Sequence, residues 1–303
     1  MEEIKKESNK KRYEGGEDIS IYEVRKAIVS LKKEKAMGED EIKYEAWIFG
    51  QKHVEEIMTK ILNKIWREEE IPEEWKRGIL CTIFKKGEKN KSANYRSITL
   101  MDTGYKIYTN ILREKLQEEI KKNEIYSEPQ LGFRRNSSTI DAIYILKNAI
   151  DRQLIEGNKI HTCFVDLKAA FDNVDRGEML KMMREGGIEE KLCIGTETIY
   201  KETLNKVRIN GKIIGEFYTE KGVRQECSLS ADCFNIYLSD LEKELQKCSE
   251  GGLLVGRKKI WSPTYADDIG LVAMSREALR HMLKRLEIYL KNKKLQLNSK
   301  KRK

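Results

Sequence analysis

Two aspartates stand side by side in Trp261–Ala273, "WSPTYADDIGLVA", with apolar residues on both flanks. Ionised Asp267 and Asp268 repel each other, and apolar surroundings raise the cost of ionising either one. A bare Asp-Asp pair is most often a hairpin turn facing water. A third acid alters that reading. Ile160 to Val165 is a β-rich run that ends at Asp166, and "YADD" (265–268) reads as strand–turn–strand. Carboxylates at strand ends on one edge of a sheet can converge although far apart in sequence, and they then need cations between them. Mg²⁺ is a hard ion held by one or two carboxylates plus substrate phosphates. Two such ions about 4 Å apart serve in-line phosphoryl transfer. Asp166, Asp267 and Asp268 are therefore the candidate catalytic and metal-binding residues. Two Mg²⁺ ions are the cofactor expected, with Mn²⁺ as an alternative.

The elements that must position these acids can be traced along the chain. Ser20 and Glu23 form a capping-box pattern ahead of Ile21, Val24, Ile28 and Leu31. A second amphipathic helix carries Val54, Ile57, Ile61, Leu62 and Ile65 and stops before Pro72. "GILCTIF" (78–84) reads as a buried strand, followed by a polar hairpin-like loop. Tyr105, Ile111, Leu112, Leu116 and Ile120 predict a helix, as does "DAIYILKNAIDRQLIEG", which ends at Gly157. Asp175 and Glu178 make a capping pair for a helix that stops at Gly186-Gly187. Asn210-Gly211 marks a hairpin turn. Ser230, Phe234, Leu238, Leu241 and Leu245 trace one helical face, and a last helix spans 275–292. Helices and hairpins without strict β-α alternation give an α+β class.

The bulk composition narrows the partners. With 59 Lys+Arg against 50 Asp+Glu, the net charge is +9, compatible with a polyanionic partner. The six cysteines form no CxxC pair and there are three histidines, so a zinc site is not expected. The charged opening "MEEIKKESNKKR" is unlike a signal peptide, and no apolar run approaches the roughly 20 residues of a membrane helix. An intracellular, reduced, soluble protein with no membrane partner is the expectation.

Several segments together resemble the reverse transcriptase of non-LTR (LINE-type) retrotransposons. They are "IPEEWKRGILCTIFKKG", "NYRSITL", "QLGFRRNSST", "FVDLKAAFD", "GVRQECSLS", "FNIYLSDLE", "YADD" and "LQLNSKK", in the family's order. The resemblance implies a right-hand polymerase fold with fingers and palm and no recognisable thumb. Residues 1–17 read as a polar tail, and the resemblance then sets a helical extension at 18–70, fingers at 71–159 and palm at 160–303. It implies RNA-directed DNA synthesis from dNTPs, with an RNA template and a DNA primer, in the nucleus. Asp166 and Asp267 match the family's metal ligands, and Asp268 completes the acidic set. Phe171 matches the aromatic that excludes a ribose 2′-hydroxyl, and Gln225 a glutamine near the nucleotide and templating base. Lys85, Lys86 and Arg96 fall where similar proteins place cations on the triphosphate. Arg134 and Arg135 match template or backbone contacts. Lys300 corresponds to a lysine near the palm's end and is assigned no chemistry. Asp172 is expected to be structural.

The chain departs from the family's pattern at turns. "KAPGPDGI" has become "KAMGEDEI" (35–42), and "GVRQGCPLSP" has become "GVRQECSLSA", so Glu226 stands where the family has glycine. Bulk and negative charge at Glu226 predict weakened catalysis. A second reading follows from this: a decayed copy that only binds nucleic acid.

Overall fold

The computed structural model describes residues 16–91, 94–127, 129–134, 137–255 and 258–298. Its first helix, α1 (Ile21–Val29), begins at the expected capping box. The Ser20 hydroxyl accepts from the Glu23 amide, and the Glu23 carboxylate accepts from the Ser20 amide at 2.8 Å. A short α2 (Tyr44–Phe49) leads into α3 (Gln51–Glu68). Here the apolar stripe is rotated from the one read in the sequence. Met58, Leu62, Ile65 and Trp66 are buried, whereas Ile57 and Ile61 are 45% and 39% exposed. A stripe that includes the large Trp66 side chain removes more apolar surface from water than one built on two isoleucines.

Strands β1 (Arg77–Phe84) and β2 (Tyr95–Leu100) pair as an antiparallel hairpin, from Ile79 opposite Leu100 to Phe84 opposite Tyr95. Only Gly78 and Ile79 of β1 are buried. Ile83 and Phe84, expected inside, face solvent because the hairpin runs out from the body of the protein. The long α4 (Thr103–Lys122) runs through the main core, with Tyr105, Ile107, Tyr108, Ile111, Leu112, Leu116 and Ile120 buried. It packs against α1 and the later α8 (Ser228–Tyr237). Helix α5 (Thr139–Ile155) starts at a second capping box, Ser138 with Asp141.

Strand β3 (His161–Asp166) follows. Asp175 caps α6 (Arg176–Glu185) by accepting from the Glu178 amide at 3.0 Å, as the sequence predicts. After α7 (Glu190–Tyr200), β4 (Thr203–Ile209) and β5 (Lys212–Thr219) form a hairpin. Its turn, Asn210-Gly211, has positive φ at both residues, the geometry that matches strand twist. The apolar face from Ser230 to Leu245 is buried throughout. It is shared between α8 and a separate α9 (Leu241–Gln246), with the chain turning at 238–240. The small hairpin β6 (Leu253–Val255) and β7 (Lys258–Ile260) leads to β8 (Thr264–Tyr265), β9 (Asp268–Ala273) and α10 (Arg276–Asn292).

These strands make an antiparallel sheet in the order β3-β9-β8 and a four-stranded sheet in the order β2-β1-β4-β5. In the latter, β1 and β4 run parallel, from Arg77 opposite Leu204 to Cys81 opposite Arg208. The mixture of packed helices and mainly antiparallel strands is α+β. Arg176 ties the base of the β4–β5 hairpin to α6. Its guanidinium donates to the carbonyls of Tyr200, Thr219 and Gly222, at 2.7, 2.8 and 2.8 Å. No described helix is long and apolar enough to cross a membrane.

Candidate active site

The antiparallel register sets Asp166, the last residue of β3, directly opposite Asp268, the first of β9. Residues directly opposed across such a pair share a face of the sheet, with Cβ atoms about 5 Å apart. Ile269–Ala273 are all buried beneath them, so Asp268 is the exposed end of an otherwise buried strand. Asp267 lies one residue earlier, in the tight turn from β8, and is half-buried. Asp166 and Asp268 are thus a cross-strand pair by register, and Asp267 lies at the adjoining turn.

Two further segments hold this edge. The first is "QLG": the Leu131 amide donates to the Thr264 carbonyl at 2.9 Å, and the Thr264 amide to the Pro129 carbonyl at 3.0 Å. The buried Gln130 carboxamide oxygen accepts from the amides of Gly132 at 2.9 Å and Ala266 at 3.2 Å. A Cβ on Gly132 would lie 2.2 Å from the Ala266 nitrogen, so only glycine permits this approach. Asn235 of α8 donates to the Gly132 carbonyl at 2.7 Å. The second segment is 296–298, whose backbone pairs with 166–168; the Asn298 side chain reaches one Asp166 oxygen. Reading the sequence singled out neither Gln130, Asn235 nor Asn298. Each acts across a long stretch of chain, and the only signal was membership of the quoted motifs.

The turn after β3 brings the next group together. The Phe171 ring stacks on Phe234, with centroids 4.7 Å apart and planes 13° apart, and meets the edge of Phe133 at 6.1 Å. The "GVRQ" loop is laced onto this turn: Val223 donates to the Phe171 carbonyl at 2.9 Å and Gly222 to that of Val174 at 2.8 Å. Gln225 Nε2 donates to Asp172 at 3.0 Å, so Asp172 orients Gln225. Arg224, its neighbour, is buried with its guanidinium on the carbonyls of Trp75 and Lys76. Lys85, Lys86 and Arg96 stand exposed on the β1–β2 hairpin of the other sheet. Arg134 follows Phe133 and is half-buried; Arg135 and Lys300 lie outside the described residues.

Glu226 is exposed and has φ 72°, and Glu41 has φ 54°. Both glutamates that stand where the resemblance expects glycine therefore occupy the left-handed region, which costs a residue with a Cβ about 1–2 kcal/mol.

Among the described residues, no group of three or more His, Cys, Asp or Glu side chains is gathered to hold an ion by itself. A hard divalent cation needs only one or two carboxylates when phosphates and water complete its shell. The oxygen-only pair Asp166 and Asp268, with Asp267 adjacent, fits an ion that arrives with a nucleotide.

The architecture is that of right-hand polymerases. The telomerase of Candida albicans, solved with a fragment of telomeric RNA, aligns over 82% of this chain and 45% of its own, with TM-score 0.54 and 14% identity. The apo telomerase of Candida tropicalis aligns over 77% of this chain and 45% of its own, with TM-score 0.57 and 14% identity. The chain belongs to the reverse transcriptase (RNA-dependent DNA polymerase) family, whose model matches residues 83–303. Its relatives are proteins of non-LTR elements. It is 23% identical over 276 residues to the uncharacterized 149 kDa protein of transposon TX1 from Xenopus laevis, covering 89% of this chain and 21% of that protein. It is 24% identical over 259 residues to the probable RNA-directed DNA polymerase from transposon BS of Drosophila melanogaster, covering 85% and 28%. For the Pol polyprotein of the type-1 retrotransposable element R2 of Popillia japonica, the values are 23% over 232 residues, covering 76% and 32%. The chain thus spans less than a third of the length of these relatives. Reverse transcriptases work with divalent metal ions.

Proposed function

We propose that the chain extends a DNA primer on an RNA template by adding dNTPs, as the polymerase part of a non-LTR retrotransposon protein. The observation that carries this reading is the placement of Asp166 opposite Asp268, beside Asp267, at the exposed end of the buried strand β9. In the reaction, the primer 3′-hydroxyl oxygen bonds to the α-phosphorus of the dNTP and pyrophosphate leaves. Asp166, Asp267 and Asp268 would hold two Mg²⁺ ions, which supply charge stabilisation to the phosphates when bound. Phe171, fixed from below by Phe234, presents a ring edge where a ribose 2′-hydroxyl would fall. Gln225, oriented by Asp172, donates toward the nucleotide. Lys85, Lys86 and Arg96 on the projecting hairpin would offset the triphosphate charge, with Arg134 on the template backbone. The β2-β1-β4-β5 sheet serves as fingers and the β3-β9-β8 sheet with α8 and α10 as palm. On this reading the fingers comprise 71–159 together with the β4–β5 hairpin.

The test is incorporation of a labelled dNTP by the purified chain on an RNA template with a DNA primer and Mg²⁺. Incorporation that Asp166→Asn abolishes supports the proposal. Its absence from both the chain and its Glu226→Gly variant, with Mg²⁺ or Mn²⁺, defeats it in favour of a fragment that only binds nucleic acid.

A further inference from the structure

The geometry points to Asn298 as a positioning residue that sets the orientation of the Asp166 carboxylate; this rests on the polymerase reading above. Asn298 Nδ2 lies 2.6 Å from Asp166 Oδ2. An ionised carboxylate only accepts, so the amide must turn its NH₂ end toward it. The donor is not a side chain swinging from a loose end. The Asn298 amide also donates to the Asp166 carbonyl at 2.9 Å, the Lys168 amide donates to the Gln296 carbonyl at 2.8 Å, and Leu167 bridges to Leu297. Leu295 and Leu167 are buried, which pins the segment between α10 and the end of β3. Asn298 is therefore delivered to Asp166 by a three-residue strip of backbone pairing and engages one of its two carboxylate oxygens.

An Asp side chain has several staggered rotamers, and only some aim it at the neighbouring hairpin. Fixing one oxygen selects among them before any cation arrives. Removing such an outer partner of a metal-binding carboxylate typically costs about 10- to 100-fold in metal affinity. The strip depends on backbone groups, so it survives replacement of the Asn298 side chain, and the two roles separate cleanly.

The experiment is Mn²⁺ titration followed by electron paramagnetic resonance. It uses the 303-residue chain with an RNA–DNA hybrid, a 3′-deoxy-terminated primer and the matching dNTP. Asn298→Ala and the near-isosteric Asn298→Leu, which removes the donor without adding charge, should each weaken Mn²⁺ binding about 10- to 100-fold. The metal-free melting temperature of Asn298→Leu should stay near that of the parent chain, so that variant carries the test if Asn298→Ala does not fold. In an Asp166→Asn background, Asn298→Ala should add no further weakening. Parent-like Mn²⁺ binding by both single variants, or full additivity with Asp166→Asn, overturns the positioning role and leaves the polymerase reading standing. Absence of Mn²⁺ binding by the parent chain overturns that reading and the inference with it.

Discussion

The two larger sheets among the described residues differ in how far their strands are buried. In β9 every residue after Asp268 is buried, and Ile269 and Leu271 are almost fully removed from water. In β5 every residue before Thr219 is exposed, including Ile213, Ile214, Phe217 and Tyr218. The first sheet carries acids that must hold their spacing, and it is clamped by the "QLG" loop, by α8 and by 296–298. The second is held through β1, β4 and the Arg176 contacts at one end, and its hairpin tips run free of the core. The difference teaches that the acids sit at the end of a strand fixed by burial, whereas Lys85, Lys86 and Arg96 ride on a hairpin that projects from the core.

Five measurements sharpen or break that contrast. Asp267→Ala should lower dNTP incorporation by at least about 10³-fold, on the order of 4 kcal/mol in barrier, with little change in melting temperature. Leu271→Ala, under the acids, should cost about 2–5 kcal/mol in urea unfolding.

Glu242 tests the same buried region through pH. Burial pushes its carboxyl from the ordinary 4.5 up to about 7, against the opposing hydrogen bond from the Trp261 amide. The folded state therefore keeps this proton longer than the unfolded state does. The contribution of Glu242 is full below about pH 4.5 and is lost as pH rises to about 7. Glu242→Gln should gain on the parent chain across that window, by on the order of 3 kcal/mol at its upper end, read as the difference between two pH–stability curves.

The smaller effects lie at the surface. Glu226→Gly should stabilise by up to about 1 kcal/mol, because release of left-handed strain of roughly 1–2 kcal/mol exceeds the added chain entropy of roughly 0.5–1 kcal/mol. Ile214→Ala on β5 should change stability by no more than about 0.5 kcal/mol. If urea unfolding shows it as costly as Leu271→Ala, the contrast between the sheets is wrong.

Much of this was legible in the sequence where the signal is local. The capping residues Ser20 and Asp175 and the Asn210-Gly211 turn depend on neighbours within a few positions, whereas the Ser138 cap of α5 lay inside a stretch read as loop. The strand ending at Asp166 was visible as an apolar run meeting an acid. What depended on distant partners was not. Nothing near Arg77 announces that β1 pairs in parallel with β4. Ile57 and Ile61 look like core because hydrophobicity alone does not say which side of a helix the rest of the chain will cover. The break between α8 and α9 is hidden because the apolar period continues through it. Asn298 is one polar residue among many until the segment carrying it is laid beside Asp166.

The parallel pairing of β1 with β4 has a consequence for how the molecule is made. Arg77 finds Leu204 only after all the intervening chain has been synthesised and folded back, and such long-range closure is slow. Until then β1 offers an unpaired edge to any neighbouring strand, a known route to aggregation. A nascent chain stalled before residue 203 would be the most vulnerable species in its own synthesis.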